Sequence, residues 1–162
     1  MAENWIQENE LDTQQNKYLT FMLGNECYGI AIQHVTEIIG LQPFTEVPEL
    51  PAYVRGIINL RGRIIPVLDV RMRFKKPIQE YTDRTCIIVV SYKDIAVGLI
   101  VDGVAEVLDI PETDIVPPPE LNHSGNRFVE GIGKVGDAVK LLLDCQKLLG
   151  DDEAAALTQV NQ

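Results

Sequence analysis

Apolar residues in this chain come in short runs broken by turn residues. Tyr18–Leu23 and Cys27–Ile32 flank Gly24-Asn25, and Gly56–Leu60 and Arg63–Leu68 flank Arg61-Gly62. Short runs bounded in this way predict β-strands joined as hairpins. A third strand is predicted over Val35–Leu41, entered through a helical turn at Ile32–Val35, and a single helical turn over Val70–Phe74. Pro66 cannot donate to a ladder, so it predicts an edge or a bulge.

The pattern then repeats. With a shift of 69, Gly29, Val35 and Glu37 meet Gly98, Val104 and Glu106, and Ile38 meets Val107. With a shift of 75, Val54, Gly56, Leu68 and Asp69 meet Val129, Gly131, Leu143 and Asp144. Two matches in the same order predict a duplicated unit, about 18–74 and 87–149, inside a domain spanning 18–150. The second half should then hold strands at Thr85–Tyr92, Ile95–Val101, Val104–Leu108, Glu130–Val135 and Ala138–Leu143.

Runs such as GIINL, RIIPVL, CIIVV and VKLLL are apolar at successive positions. Strands of that kind need cover on both faces. One face can fill a barrel while the other meets a sister barrel. The expected fold is therefore mainly β, with two five-stranded barrel subdomains packed on a shared hydrophobic core. Residues 1–17 are polar and acidic and predict a flexible segment. Residues 151–162 predict a flexible tail or a short helix capped by Asp151.

Composition narrows the function. The chain has 162 residues and a formal net charge of −10. Nucleic acid is not the expected partner, because phosphate neutralisation needs a basic face. Half of the 14 Lys and Arg lie between Tyr53 and Lys76, where Asp69 is the single acid, so this window carries +6 and the remainder −16. Arg71, Arg73, Lys75 and Lys76 read as a solvated face with snorkelling side chains. Arg61 and Arg63 flank a turn glycine and are better placed to meet a partner.

No apolar stretch is long enough to span a membrane, and residues 1–17 lack the apolar run of a signal peptide. Cys27, Cys86 and Cys145 read as free buried thiols in a reducing cytoplasm. His34 and His123 are the two histidines, and no Cys-x-x-Cys occurs, so no metal site is expected. Gly131–Gly136 matches G-x-G-x-x-G, a dinucleotide signature that belongs between a strand and a helix. Here it falls on the hairpin that repeats GIINLR, so the glycines read as packing and turn residues, and neither cofactor nor enzymatic activity is expected.

The halves differ most at the arginine turn, where Leu60-Arg61-Gly62-Arg63 is replaced by Val135-Gly136-Asp137-Ala138. A residue present in one copy is freer to serve a partner, which singles out Arg61. The segments YVRGIINLRGRIIPVLDVRMRF, CYGIAIQHVTEII and VGLIVDGVAEVL resemble the CheW family of chemotaxis coupling proteins. The resemblance covers about 18–150.

That resemblance implies two intertwined SH3-like barrels without enzymatic activity. It implies a cytoplasmic adaptor joining the histidine kinase CheA, through the kinase's regulatory domain, to the cytoplasmic tips of methyl-accepting chemoreceptors. The adaptor would be recruited to receptor arrays without entering the membrane itself. By resemblance, Arg61, Val35, Ile38, Glu37 and Ile87 belong to receptor binding. Arg55, Gly56 and Ile64 belong to kinase binding, with Glu120 and Leu121 as a second contact. Val116 stands where some members have arginine. Because Val35 and Ile38 recur as Val104 and Val107, a core role is expected for some of them.

Overall fold

The computed structural model describes residues 15–119 and 127–149. Eleven strands account for most of these residues. They are β1 (Lys17–Leu23), β2 (Glu26–Ala31), β3 (Val35–Gly40), β4 (Val54–Leu60), β5 (Arg63–Asp69), β6 (Cys86–Tyr92), β7 (Ile95–Val101), β8 (Gly103–Asp109), β9 (Ile115–Val116), β10 (Val129–Val135) and β11 (Ala138–Leu143). A helical turn α1 (Val70–Arg73) follows β5, and α2 (Cys145–Leu149) follows β11. The ten strands expected from the pattern lie within two residues of their observed bounds, and β9 is additional.

The strands form two sheets, ordered β8-β1-β2-β11-β10-β9 and β3-β6-β7-β5-β4. Each sheet mixes strands from both sequence halves. The hairpin β1–β2 takes β8 on one side and β11 on the other, while β6–β7 takes β3 and β5. Closed five-stranded barrels were expected. The hydrogen-bonded ladders are instead open, one of six strands and one of five.

Two apolar clusters explain the runs that are hydrophobic at successive positions. The larger lies between the sheets and joins Leu19, Phe21 and Ile30 of the first to Ile88, Val90, Val97 and Leu99 of the second. The smaller lies on the far face of the five-stranded sheet and holds Ile58, Ile65, Val67, Ile87, Val89, Ala96 and Ile100. Alternate residues of β6 and β7 thus feed different cores, so both faces are covered.

Pro66 sits in an interior strand without breaking a ladder. Ile57, its partner across β4, gives both backbone groups to Thr45, so the Ile57–Pro66 pair is of the non-hydrogen-bonded kind. The parallel ladder to β7 begins only at Val67. Pro66 therefore occupies a stretch of β5 that behaves as an edge on that side.

The solvated reading of Arg71 and Arg73 is corrected. Both are 7% exposed. Arg71 donates from Nε and Nη2 to Asp102 at 2.8 and 2.5 Å, from Nη1 to Pro77 O, and from Nη2 to Gln79 Oε1. Arg73 donates to Leu148 O at 2.9 Å and lies between the rings of Tyr53 and Phe128, 4.5 and 4.6 Å from their centroids. Asp69 starts α1 by accepting from Met72 N. That turn points both arginines into contacts with the second half of the chain. Lys76 pairs with Glu26, and Lys75 is exposed. All three cysteines are free; Cys145 is buried, whereas Cys27 and Cys86 are only half-buried.

Candidate functional site

The β4–β5 hairpin turns through Arg61 and Gly62, both with positive φ (52° and 86°), while Leu60 pairs with Arg63. Two central residues of positive φ are the signature of a type I′ turn, whose twist suits a hairpin. Glycine adopts that conformation freely, but a residue with a Cβ pays for it in steric strain. Asn59 Oδ1 accepts from Gly62 N at 2.8 Å and helps to hold the turn. In the equivalent hairpin, Gly136 takes the first central position with φ 61°. An arginine therefore stands where the other copy has the less strained residue.

From this turn Arg61 reaches across to β3. Its Nη1 donates to Glu37 Oε2 at 2.8 Å and its Nη2 to Glu37 Oε1 at 2.5 Å. The geometry is the two-pronged fit of guanidinium to carboxylate. It joins the two edges of the five-stranded sheet, because β3 and β4 are its outer strands. The Arg61 side chain remains 73% exposed. Its pKa is raised, first by the hydrogen bond to Glu37 and then by that group's charge.

The apolar candidates divide by face. Val35 pairs with Val90 and Ile38 with Ile88, both of the inter-sheet core, whereas Glu37 pairs with Val89 and Ile39 with Ile87, both of the smaller core. A bulge between Val35 and Glu37 puts residues three apart on one face. Val35 is half-buried against the inter-sheet core, and Ile38 is 46% exposed. β8 repeats the device. Val104 pairs with Phe21 and Val107 with Leu19 across a register shift, and Val107 is 50% exposed. The recurrence that suggested a core role thus marks, at Ile38 and Val107, an exposed apolar residue on the outer strand of each sheet.

Not all candidates meet. Arg61 and Glu37 are joined, while Val35 and Ile38 lie on the opposite face of the same strand. Ile87 is fully buried in the smaller core, where its Cγ2 would lie 2.8 Å from a Cβ on Gly98. It therefore supports the strand from behind and offers no contact surface, which corrects its reading as a groove-lining residue. Arg55 and Gly56 lie at the opposite end of β4 from the arginine turn. A Cβ on Gly56 would stand 2.4 Å from Thr45 O, so this glycine admits the Thr45–Ile57 bridge. Ile64 is 37% exposed, beside Asn59. Glu120 and Leu121 lie outside the described residues.

The G-x-G-x-x-G segment lies on β10, with Gly136 in the turn to β11, so a strand and not a helix follows it. Among the described residues no cluster of His, Cys, Asp and Glu could hold a metal ion. No helix among them is long and apolar enough to cross a membrane.

A family model described as the CheW-like domain matches residues 17–153. The chain belongs to the CheW family. It is 36% identical over 150 residues to the chemotaxis protein CheW of Klebsiella aerogenes, covering 92% of this chain and 90% of that one. The chemotaxis protein CheW of Helicobacter pylori is 34% identical over 136 residues, 84% of this chain and 82% of its own. Among solved structures, the scaffolding protein TtCheW from Thermoanaerobacter tengcongensis superposes with a TM-score of 0.79 at 38% identity, covering 85% of this chain and 94% of that one. In this CheW-family chain, the outer-strand residues that sequence reasoning passed over are Val104 and Val107. The repeat pointed to them, but only the bulges reveal which face they occupy.

Proposed function

We propose that this chain is a chemotaxis scaffold that couples the histidine kinase CheA to the cytoplasmic tips of methyl-accepting chemoreceptors. The observation that carries the reading is the pair of exposed apolar residues, Ile38 on β3 and Val107 on β8, each on an outer strand whose Val35 or Val104 packs on the shared core. Such a surface suits the apolar face of a receptor helix. Arg61, clamped to Glu37 yet open to solvent, supplies polar recognition near one end of β3. Arg55, Gly56 and Ile64 of the β4–β5 hairpin serve the kinase regulatory domain, with Glu120 and Leu121 as its second contact. The site acts by binding and not by catalysis. Holding both partners raises the effective concentration of one for the other. Its place is the cytoplasmic side of receptor arrays, reached through the receptors.

Isothermal titration with a purified kinase regulatory domain and with a receptor tip hairpin tests this reading. Saturable binding of each at micromolar or tighter affinity is expected. Arg61→Glu should weaken receptor binding while its circular dichroism and melting match the wild type. Absence of heat and of co-elution from a folded sample would refute the adaptor role. A collapsed Arg61→Glu fold would make the arginine structural.

A further inference from the structure

A side chain that is 0% exposed in the middle of a strand is usually apolar, but in β1 it is Thr20. Its hydroxyl is fully used. Oγ1 donates to Glu106 O at 2.6 Å and accepts from Glu106 N at 3.1 Å. One side chain thus serves both backbone groups of a residue on β8, 86 positions away.

The ladder between the two strands explains this. Leu19 pairs with Val107 and Phe21 with Val104, so Thr20 alone on β1 stands opposite Ala105 and Glu106 on β8. Two residues against one make a bulge, and a bulge leaves its extra residue without a ladder partner. Backbone groups away from water seldom stay unpaired. The Thr20 hydroxyl replaces the missing partner and holds the bulge in place. The bulge of β3 has a related device. Its extra residue, Thr36, donates from Oγ1 to Val89 O at 3.0 Å. Thr36 is exposed, however, and it serves one backbone group where Thr20 serves two.

The β8 bulge decides which side chain shares a face with Leu19 and Phe21. In an unbroken ladder with Val104 opposite Phe21, Glu106 would stand opposite Leu19, and Val107 would turn to the other face. With the bulge, Val107 takes that position, 50% exposed on the outer strand. An apolar side chain thereby stands where a carboxylate would otherwise be.

We propose that Thr20 is a positioning residue for receptor binding. Its hydroxyl holds the β8 bulge that presents Val107, in place of Glu106, to the receptor helix. Being fully buried, Thr20 itself meets no partner. The proposal rests on the reading that the outer strands face the receptor, and it names what makes that contact apolar.

The test is titration of the receptor tip hairpin and of the kinase regulatory domain into wild type, Thr20→Val and Thr20→Ser, with folding checked by circular dichroism and melting. Valine keeps the shape and removes the hydroxyl, whereas serine keeps the hydroxyl and removes the methyl. Thr20→Val should bind the receptor hairpin about tenfold or more weakly, and Thr20→Ser within about twofold of wild type. Both should bind the kinase domain as the wild type does. If Thr20→Val does not fold, Thr20→Ala takes its place under the same expectations. Amide hydrogen exchange gives a second reading: the Glu106 amide should exchange slowly in wild type and Thr20→Ser, and faster once the hydroxyl is gone. A wild-type Glu106 amide that exchanges as fast as an exposed one would overturn the proposal. So would equal receptor binding by all three chains, or a Thr20→Ser chain as weak as Thr20→Val. A loss of kinase binding as large as the loss of receptor binding would mark general damage to the fold and overturn it too. Each of these leaves the adaptor reading standing. A wild-type chain that binds no receptor hairpin would overturn the receptor reading and the proposal with it.

Discussion

Replacing Arg71 by methionine tests whether the buried helical turn fastens one half of the chain to the other. Arg71 makes four hydrogen bonds, two of them to Asp102, which also accepts from Gly24 N at 2.7 Å. Methionine keeps much of the stem and removes every donor. Breaking a buried ion pair from one side costs about 3–5 kcal/mol, because the other charge is stranded. The Asp102 side chain is 32% exposed, so water recovers part of that cost, and about 2–3 kcal/mol is expected. With a urea dependence of roughly 2 kcal/mol per molar for a chain of this size, the unfolding midpoint should fall by about 1–1.5 M. The pH supplies a second reading. The hydrogen bond from Arg71 is the main cause holding Asp102 below its ordinary 3.8. A lowered carboxyl pKa contributes stability that is present above pH 3.8 and is lost as pH falls through the folded-state value. The gap between wild type and Arg71→Met should therefore narrow in that acid range. A midpoint shift below about 0.25 M at neutral pH, or a gap unchanged by acid, would refute the fastening role.

Three further outcomes follow from the same structure. Gly56→Ala forces a Cβ to within 2.4 Å of Thr45 O, a backbone atom, whereas Gly40 has nothing within 4 Å. Gly56→Ala should cost about 1–3 kcal/mol by thermal melting, and Gly40→Ala should leave the melting temperature nearly unmoved. Burial first, and then the hydrogen bond to Asp69, push the Tyr81 phenol from 10.0 up to about 12. The stability this gives is present below pH 10 and lost as pH rises toward about 12. Tyr81→Phe should therefore lose less melting temperature than the wild type on going from about pH 9 to pH 11, and an identical loss would contradict the assignment. Ile38→Asp with Val107→Asp should leave melting near wild type, since both side chains are exposed, yet weaken receptor hairpin binding about tenfold or more. Undiminished binding would remove these two residues from the receptor site.

Strand positions were legible because apolar runs and turn residues act locally. Gly24-Asn25 and Arg61-Gly62 announce their hairpins without help from the remainder of the chain. Sheet membership was not legible, since β8 joins β1 and β11 joins β2 across long stretches of sequence. The faces of β3 and β8 were misread for another reason. A bulge changes the spacing of same-face residues from two to three, and no single residue type marks it. That is why the recurrence of Val35 and Ile38 as Val104 and Val107 pointed to a core role for some of these residues, although Ile38 and Val107 are exposed. Arg71 read as solvated because charge usually is. Its burial depends on Asp102, a partner 31 residues away. Arg61 was picked out by its absence from the second copy, and its positive φ is an independent sign that the turn tolerates strain there.

The mixing of strands between the sheets also bears on how the chain is made. On the ribosome, β1 and β2 emerge early and can close as a hairpin. Their flanking strands, Gly103–Asp109 and Ala138–Leu143, are synthesised only much later. Until then the hairpin carries two open edges and an uncovered apolar face, the condition under which nascent chains need protection from association. The five-stranded sheet likewise waits for β6 to give β3 a neighbour and for β7 to cover the second edge of the β4–β5 hairpin. A gene split in the connection between α1 and β6 would yield two fragments that are each incomplete in both sheets. They would complete one another only as a pair, so the duplicated halves have become one cooperative unit.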